Sequence, residues 1–112
     1  MDEPTFAQIL GRKIRALRKI RRMSQPDVAE ALGYNSSGTI SLIEAGKSGM
    51  SQEKIFDAAK LFGVHPMVLM SEKELSESDL EMYVSLQRLL DRESPSKHYE
   101  TIRALLRLSE VE

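Results

Sequence analysis

The hydrophobic positions of this chain recur at helical spacing along most of its length. Phe6, Leu10, Ile14 and Leu17 stand four, four and three residues apart, which predicts an amphipathic helix from about Thr5 to Arg22. Arg12, Arg15, Lys19 and Arg22 fall near the opposite face, so the helix pairs a core stripe with a basic back. A short second helix opens at Ser24, where Ser24-Gln25-Pro26-Asp27 has the S-x-x-D form of a capping box. Pro26 is tolerated there because first-turn amides have no intrahelical partner. Val28, Ala29 and Leu32 point inward and Gly33 supplies the stop. After the polar stretch Tyr34-Asn35-Ser36-Ser37, a third helix runs to about Ala45, anchored by Ile40 and Ile43 and ended by Gly46. Beyond the loop Lys47-Ser48-Gly49-Met50, Ser51 caps a fourth helix with Ile55, Phe56, Ala59 and Phe62 inward, closed by Gly63. His65-Pro66 opens a short fifth helix holding Met67 to Met70.

Isolated helices below ~12–15 residues are marginal, so these elements depend on shared packing. They predict an all-α domain of five helices over residues 5–70, followed by a charged hinge at 71–75. Ser76-Glu77-Ser78-Asp79 is a second capping box and opens a helix to about Arg92, with Met82, Tyr83, Leu86, Leu89 and Leu90 as its widest apolar face. Ser94-Pro95-Ser96 breaks it, and a last helix presents Tyr99, Ile102, Leu105, Leu106 and Leu108. Residues 76–110 therefore read as a C-terminal helical hairpin. Its apolar surface exceeds what two helices can hide between themselves, so it is expected to pack on the first domain or on a second copy of the chain.

Composition narrows the class. Apolar residues make up 41% of the chain and charged residues 29%, with a net charge of −1, as in a globular rather than a disordered protein. No apolar run approaches the ~20 residues that span a bilayer, so no membrane partner is expected. The acidic start Met1-Asp2-Glu3-Pro4 does not read as a secretory leader. Cysteine is absent, which excludes a disulfide framework and a thiolate metal site. A cytoplasmic location follows by elimination.

The near-neutral total hides an asymmetry. Residues 1–70 hold ten Lys/Arg against seven Asp/Glu, a net +3, while residues 71–112 hold six against ten, a net −4. Seven of the basic side chains lie within residues 12–22: Arg12, Lys13, Arg15, Arg18, Lys19, Arg21 and Arg22. An anionic partner would meet this N-terminal part; the plainer reading of such a run is a solvated helix face. His65 and His98 lack companion ligands and read as cap or surface residues, Asp27 and Asp79 as caps, and the six Met residues as core filler. There is no G-x-x-x-x-G-K-[ST] loop and no G-x-S-x-G elbow. The chain is expected to be no enzyme and to need no cofactor or metal.

Four stretches, taken in order, carry a resemblance. They are Leu10-Gly11-x-x-Ile14-Arg15-x-Leu17-Arg18, Met23-Ser24-Gln25-x-x-Val28-Ala29-x-x-Leu32-Gly33, Thr39-Ile40-Ser41-x-Ile43-Glu44-x-Gly46-Lys47, and Ala58-Ala59-x-x-Phe62-Gly63-Val64. Together, over about residues 10–70, they resemble the lambda-repressor-like (Xre/Cro-type) helix-turn-helix family. The resemblance implies a double-stranded DNA partner, with the third helix in the major groove. By it, Gln25 would hold a phosphate and buttress that helix, helped by the exposed amides of its own helix N-terminus. Asn35, Ser36, Ser37, Gly38, Thr39, Ser41 and Leu42 would face or flank base edges, and Lys47 and Arg22 would reach neighbouring phosphates. Arg18 and Glu44 match a structural ion pair of the family; the other reading has Arg18 touching the DNA.

Two departures qualify this. From Gly33 to Ile40 the chain has one residue more than the commonest family spacing, which shifts the base-facing positions by up to one. The helix from Ser37 to Glu44 also lacks Arg, Asn and Gln, the side chains that make bidentate base contacts worth about 1–3 kcal/mol each. Modest specificity per half-site is expected, with DNA shape and dimer spacing supplying the rest. A single helix-turn-helix covers little DNA, so a homodimer is expected, with Met82, Tyr83, Leu86, Leu90, Tyr99, Ile102, Leu105 and Leu106 of the hairpin as its interface. The leading function is a dimeric repressor on an inverted-repeat operator. The alternative is an adaptor or antitoxin-like module with a protein partner, in which DNA binding is secondary.

Overall fold

Side-chain caps start the first six helices of this chain, and left-handed glycines cap the ends of two of them. The structure, a computed structural model, describes residues 3–91 and 95–110. Among these the order is α1 (Phe6–Ile20), α2 (Gln25–Leu32), α3 (Ser37–Glu44), α4 (Gln52–Phe62), α5 (Pro66–Met70), α6 (Glu77–Leu90) and α7 (Pro95–Glu110), with no strand. The expected reach of α6 to Arg92 and the break at Ser94 lie outside the described residues, as does the side chain of His98.

Three helices open with reciprocal capping boxes. At α2 the Asp27 amide donates to Ser24 Oγ (3.1 Å) and the Ser24 amide to Asp27 Oδ2 (2.9 Å). Ser76 and Asp79 repeat the motif at α6, and Thr5 and Gln8 form it at α1. Each cap satisfies orphan amides and contributes about 1 kcal/mol. His65 caps α5, its Nδ1 accepting from the Met67 amide at 3.1 Å. Gly33 and Gly63 end α2 and α4 at φ +77° and +75°, a region that L side chains avoid.

α1 runs through the middle of the molecule. Its Leu10, Ile14 and Leu17 meet Ile40 and Ile43 of α3, and the core continues through Val28, Ala29 and Leu32 of α2, Ile55, Ala58, Ala59 and Phe62 of α4, and Val68 and Leu69 of α5. The C-terminal helices lie on this bundle: α6 packs on α1 through Leu80, Tyr83 and Val84, and α7 on α5 through Ile102 and Leu106. All five of these side chains belong to the same core.

Several facing assignments change. Phe56, expected inward, is 42% exposed, because the i, i+3, i+4, i+7 stripe of α4 is Ile55, Ala58, Ala59 and Phe62. Phe6 sits at the rim of the core, where Ile9 is buried instead. On α6 the inward stripe is Leu80, Tyr83 and Val84, which leaves Met82 and Leu89 outside. Of the eight side chains expected at a dimer interface, Tyr83, Ile102 and Leu106 are therefore taken into the chain's own core, where a second copy cannot reach them. Leu86, Leu90 and Leu105 are half-buried, and Met82 and Tyr99 are exposed.

Lys13 departs furthest from a surface reading. It is buried, and its Nζ donates to the carbonyls of Val68 and Ser71, both at 2.8 Å. These lie at the C-terminal end of α5, where unpaired carbonyls and the helix dipole favour an ammonium. Burial pulls its pKa from the ordinary 10.5 down to about 8, against the opposing pull of the Glu74 carboxylate. Neighbouring Arg12 pairs with Glu74, but both are exposed, so the pair adds little stability.

Candidate nucleic-acid interface

The Ser24 cap fixes where α2 begins, and so places Gln25 at its first turn, beside the far end of α3. There Gln25 Nε2 donates to Glu44 Oε1 at 3.1 Å. The same carboxylate accepts twice from Arg18 of α1, from Nε at 2.7 Å and from Nη2 at 3.1 Å. Arg18 Nη1 also donates to the Met23 carbonyl at 3.0 Å. Glu44 thus ties three helices together, and Arg18 adds the α1–α2 turn. The bidentate geometry and the small exposure of both side chains, 14% for Arg18 and 5% for Glu44, make this a structural network rather than a solvated pair. The hydrogen bond to Glu44 raises the Arg18 pKa above its already high ordinary value.

Two glycines set the distance between α1 and α3. A Cβ on Gly11 would stand 2.2 Å from the Ile43 carbonyl oxygen and 3.0 Å from that of Glu44, so α3 rests its C-terminal end directly on the α1 backbone. Gly46, at φ +74°, turns the chain out of α3, and a Cβ there would meet Gln8 Cγ at 2.7 Å. Lys47 then bonds its amide back to the Leu42 carbonyl at 3.0 Å. At the other end Ser36 caps α3, its Oγ accepting from the Gly38 amide at 3.2 Å.

This seating leaves one edge of α3 outward. Asn35, Ser36, Gly38, Ser41 and Leu42 are exposed, the last by 50%, while Ser37 and Thr39 are half-buried. Lys47 and Arg22 are exposed at either side of the motif, and Gln25 is half-buried with its amide committed to Glu44. Ser36 accepts the Gly38 amide at the helix cap and keeps its O–H donor and a second lone pair for a ligand. Arg22 is the one non-glycine residue with positive φ among those described, at +55°.

Four participants lie outside the set of expected site residues. Arg15 is exposed, and an open depression is lined by Arg15, Arg18, Gln25, Ser41 and Glu44, which puts a further cation beside the outward edge of α3. Helical spacing carried the signal, since Arg15 precedes Arg18 by three residues. Gly11 and Gly46 act through close approach to segments distant in sequence, and Lys54 reaches the turn before α3 from α4; no local pattern announces these. The described residues hold no cluster of three His, Cys, Asp or Glu side chains that could bind a metal ion, and no helix long and apolar enough to cross a membrane.

The geometry agrees with comparison to known proteins. A family model described as a helix-turn-helix domain matches residues 9–70, more than half of the chain. No curated protein and no solved structure shows significant similarity to it. A helix-turn-helix domain suits DNA binding. With an ordered set of motifs, a polar outward helix and a family match over the same residues, the chain belongs to the helix-turn-helix domain family, in keeping with its lambda-repressor-like resemblance.

Proposed function

We propose that this protein is a sequence-specific double-stranded DNA-binding regulator that acts as a homodimeric repressor on an inverted repeat. The observation that carries the reading is the Arg18–Glu44–Gln25 network. It locks α2 and α3 in one relative orientation and leaves Ser41, Leu42 and the N-terminal turn of α3 presented between the exposed cations Arg15, Arg22 and Lys47. Cations at the margins suit phosphates, and a rigid helix edge between them suits a groove. Arg22 supports this further: a non-glycine residue in the left-handed region costs about 1–2 kcal/mol, a strain that accumulates at functional sites. Dimerisation is supported by the apolar side chains that α6 and α7 leave outward, Met82, Leu89, Tyr99 and Leu108. Two-fold pairing there would set half-sites about 34–36 Å apart. The site would be cytoplasmic, with repression by occlusion.

A second reading has its own support. An apolar groove lined by Phe56, His65, Pro66, Met67, Met70 and Tyr99 would accept a protein segment, which favours an adaptor or antitoxin-like role with DNA binding secondary. Selection from a random double-stranded DNA library at physiological salt separates the two. Enrichment of an inverted repeat is the expected outcome. Folded protein that enriches nothing would overturn the regulator reading in favour of the adaptor.

A further inference from the structure

The connection between α2 and α3 is held by a side chain from elsewhere in the fold. Lys54 extends from the first turns of α4, whose start is fixed by Ser51 Oγ accepting from the Lys54 amide at 3.2 Å. Its Nζ donates to the Leu32 carbonyl, at the C-terminal end of α2. The same ammonium lies 5.1 Å from the centroid of the Tyr34 ring. Between these two partners stands Gly33 at φ +77°, where a Cβ would come within 3.3 Å of Nζ.

Two separate attractions therefore converge on one cation: an orphan carbonyl at the negative end of the α2 dipole, and an aromatic face. Each acts on residues 32–34, and the next residues along the chain are Asn35, Ser36 and Ser37, which lead into α3. Ser36 fixes the far end of the turn by capping α3, so Lys54 and Ser36 clamp the connection from its two sides.

We infer that Lys54 is a positioning residue for base recognition, which sets how Asn35, Ser36 and Ser37 meet the DNA without touching it. The inference rests on the DNA-binding reading above and extends it to a residue outside the helix-turn-helix. A lysine that only neutralised phosphate would act uniformly on all sequences, whereas one that holds the turn acts on the bases read by that turn.

The test uses the full chain and Lys54→Met, which keeps the aliphatic stem, together with Lys54→Arg, which restores a cation and donors. In the free proteins, amide hydrogen exchange at Gly33 and Tyr34, whose amides donate to the Glu30 and Ala29 carbonyls, should quicken by about fivefold or more in Lys54→Met, the factor expected from losing one such cation contact, with Ile14 and Ile43 unchanged. On fragments that the unaltered protein enriches from a random DNA library, Lys54→Met should flatten base preference at one end of each half-site. The salt slope of binding should stay the same, and Lys54→Arg should restore much of the preference. Tyr34→Leu, with Lys54 intact, should reproduce the exchange pattern if Lys54→Met folds poorly. Unchanged exchange would overturn the anchoring. A salt slope lower by about one with preferences intact would make Lys54 a phosphate contact instead. A uniform loss of affinity with preferences intact would reduce it to a stabilising residue. If the unaltered protein enriches no sequence, the DNA reading falls and the recognition role with it, while the exchange result still reports on the anchor by itself.

Discussion

Lys13 carries its charge where water cannot reach it, and this makes the stability of the fold depend on pH in the alkaline range. Its pKa is about 8 in the folded chain against 10.5 when exposed. Between these values the unfolded chain binds the extra proton, so stability gains with rising pH across that window and carries the full cost of the buried charge below it. The neutral amine still has two N–H groups for the two carbonyls it serves. The urea midpoint of the wild type, relative to Lys13→Met, should rise from pH 8 to pH 10.5 by a free-energy equivalent on the order of 3 kcal/mol. A difference that stays flat across the window would show that Lys13 is not desolvated. Glu44 is the second residue on which much depends. Glu44→Ala strips Arg18 and Gln25 of their acceptor in a largely buried place, at a cost of roughly 2–4 kcal/mol. For a chain of this size the melting temperature should fall by roughly 10 °C or more. An unaltered melting curve would mean the network contributes nothing to the fold.

At the scale of the helix, the contact between α1 and α3 turns on Gly11. Alanine is the better helix former by about 1 kcal/mol, yet a Cβ placed 2.2 Å from the Ile43 carbonyl must push α3 away. Overpacking of this kind costs about 1–3 kcal/mol and here outweighs the propensity gain. Gly11→Ala should therefore lower stability in urea unfolding and weaken DNA binding as well; a stabilised variant would show that α3 does not rest on α1. The helices themselves were legible in the sequence because their signals are local. Ser24 with Asp27 and Ser76 with Asp79 announce their caps within four residues, and Gly33 and Gly63 announce their stops. Facing was less legible. α6 carries two apolar stripes, Leu80-Tyr83-Val84 and Met82-Leu86-Leu89, and periodicity alone does not say which one the bundle covers. The candidate site divides in the same way. The polar edge of α3 can be read from its sequence, but the partners of Lys13 lie 55 and 58 residues away, and Lys54 acts on Leu32 from 22 away.

For the whole molecule the question is how the apolar surface of α6 and α7 is shared between the chain's own core and a second copy. Tyr83 is 1% exposed, and Tyr83→Ala should destabilise the monomer fold by about 3 kcal/mol or more, read by chemical denaturation. Leu89 and Leu108 are 76% and 68% exposed, so replacing both with Lys should leave helical content intact. Under the proposed function that double variant should sediment as a monomer, and the unaltered chain as a dimer at micromolar concentration. Identical sedimentation of the two would place the dimer contact elsewhere or remove it. The docking of α7 on α5 has a further consequence during synthesis. Val68 and Leu69 belong to the same core as Ile102 and Leu106, which are made much later. At about 5–20 residues per second, the stretch from Met70 to Leu106 takes roughly 2–7 s to translate. Until α6 and α7 have emerged and docked, the helix-turn-helix lacks their cover on α1 and α5. The growing chain is then open to chaperones and proteases on the side that α7 will close.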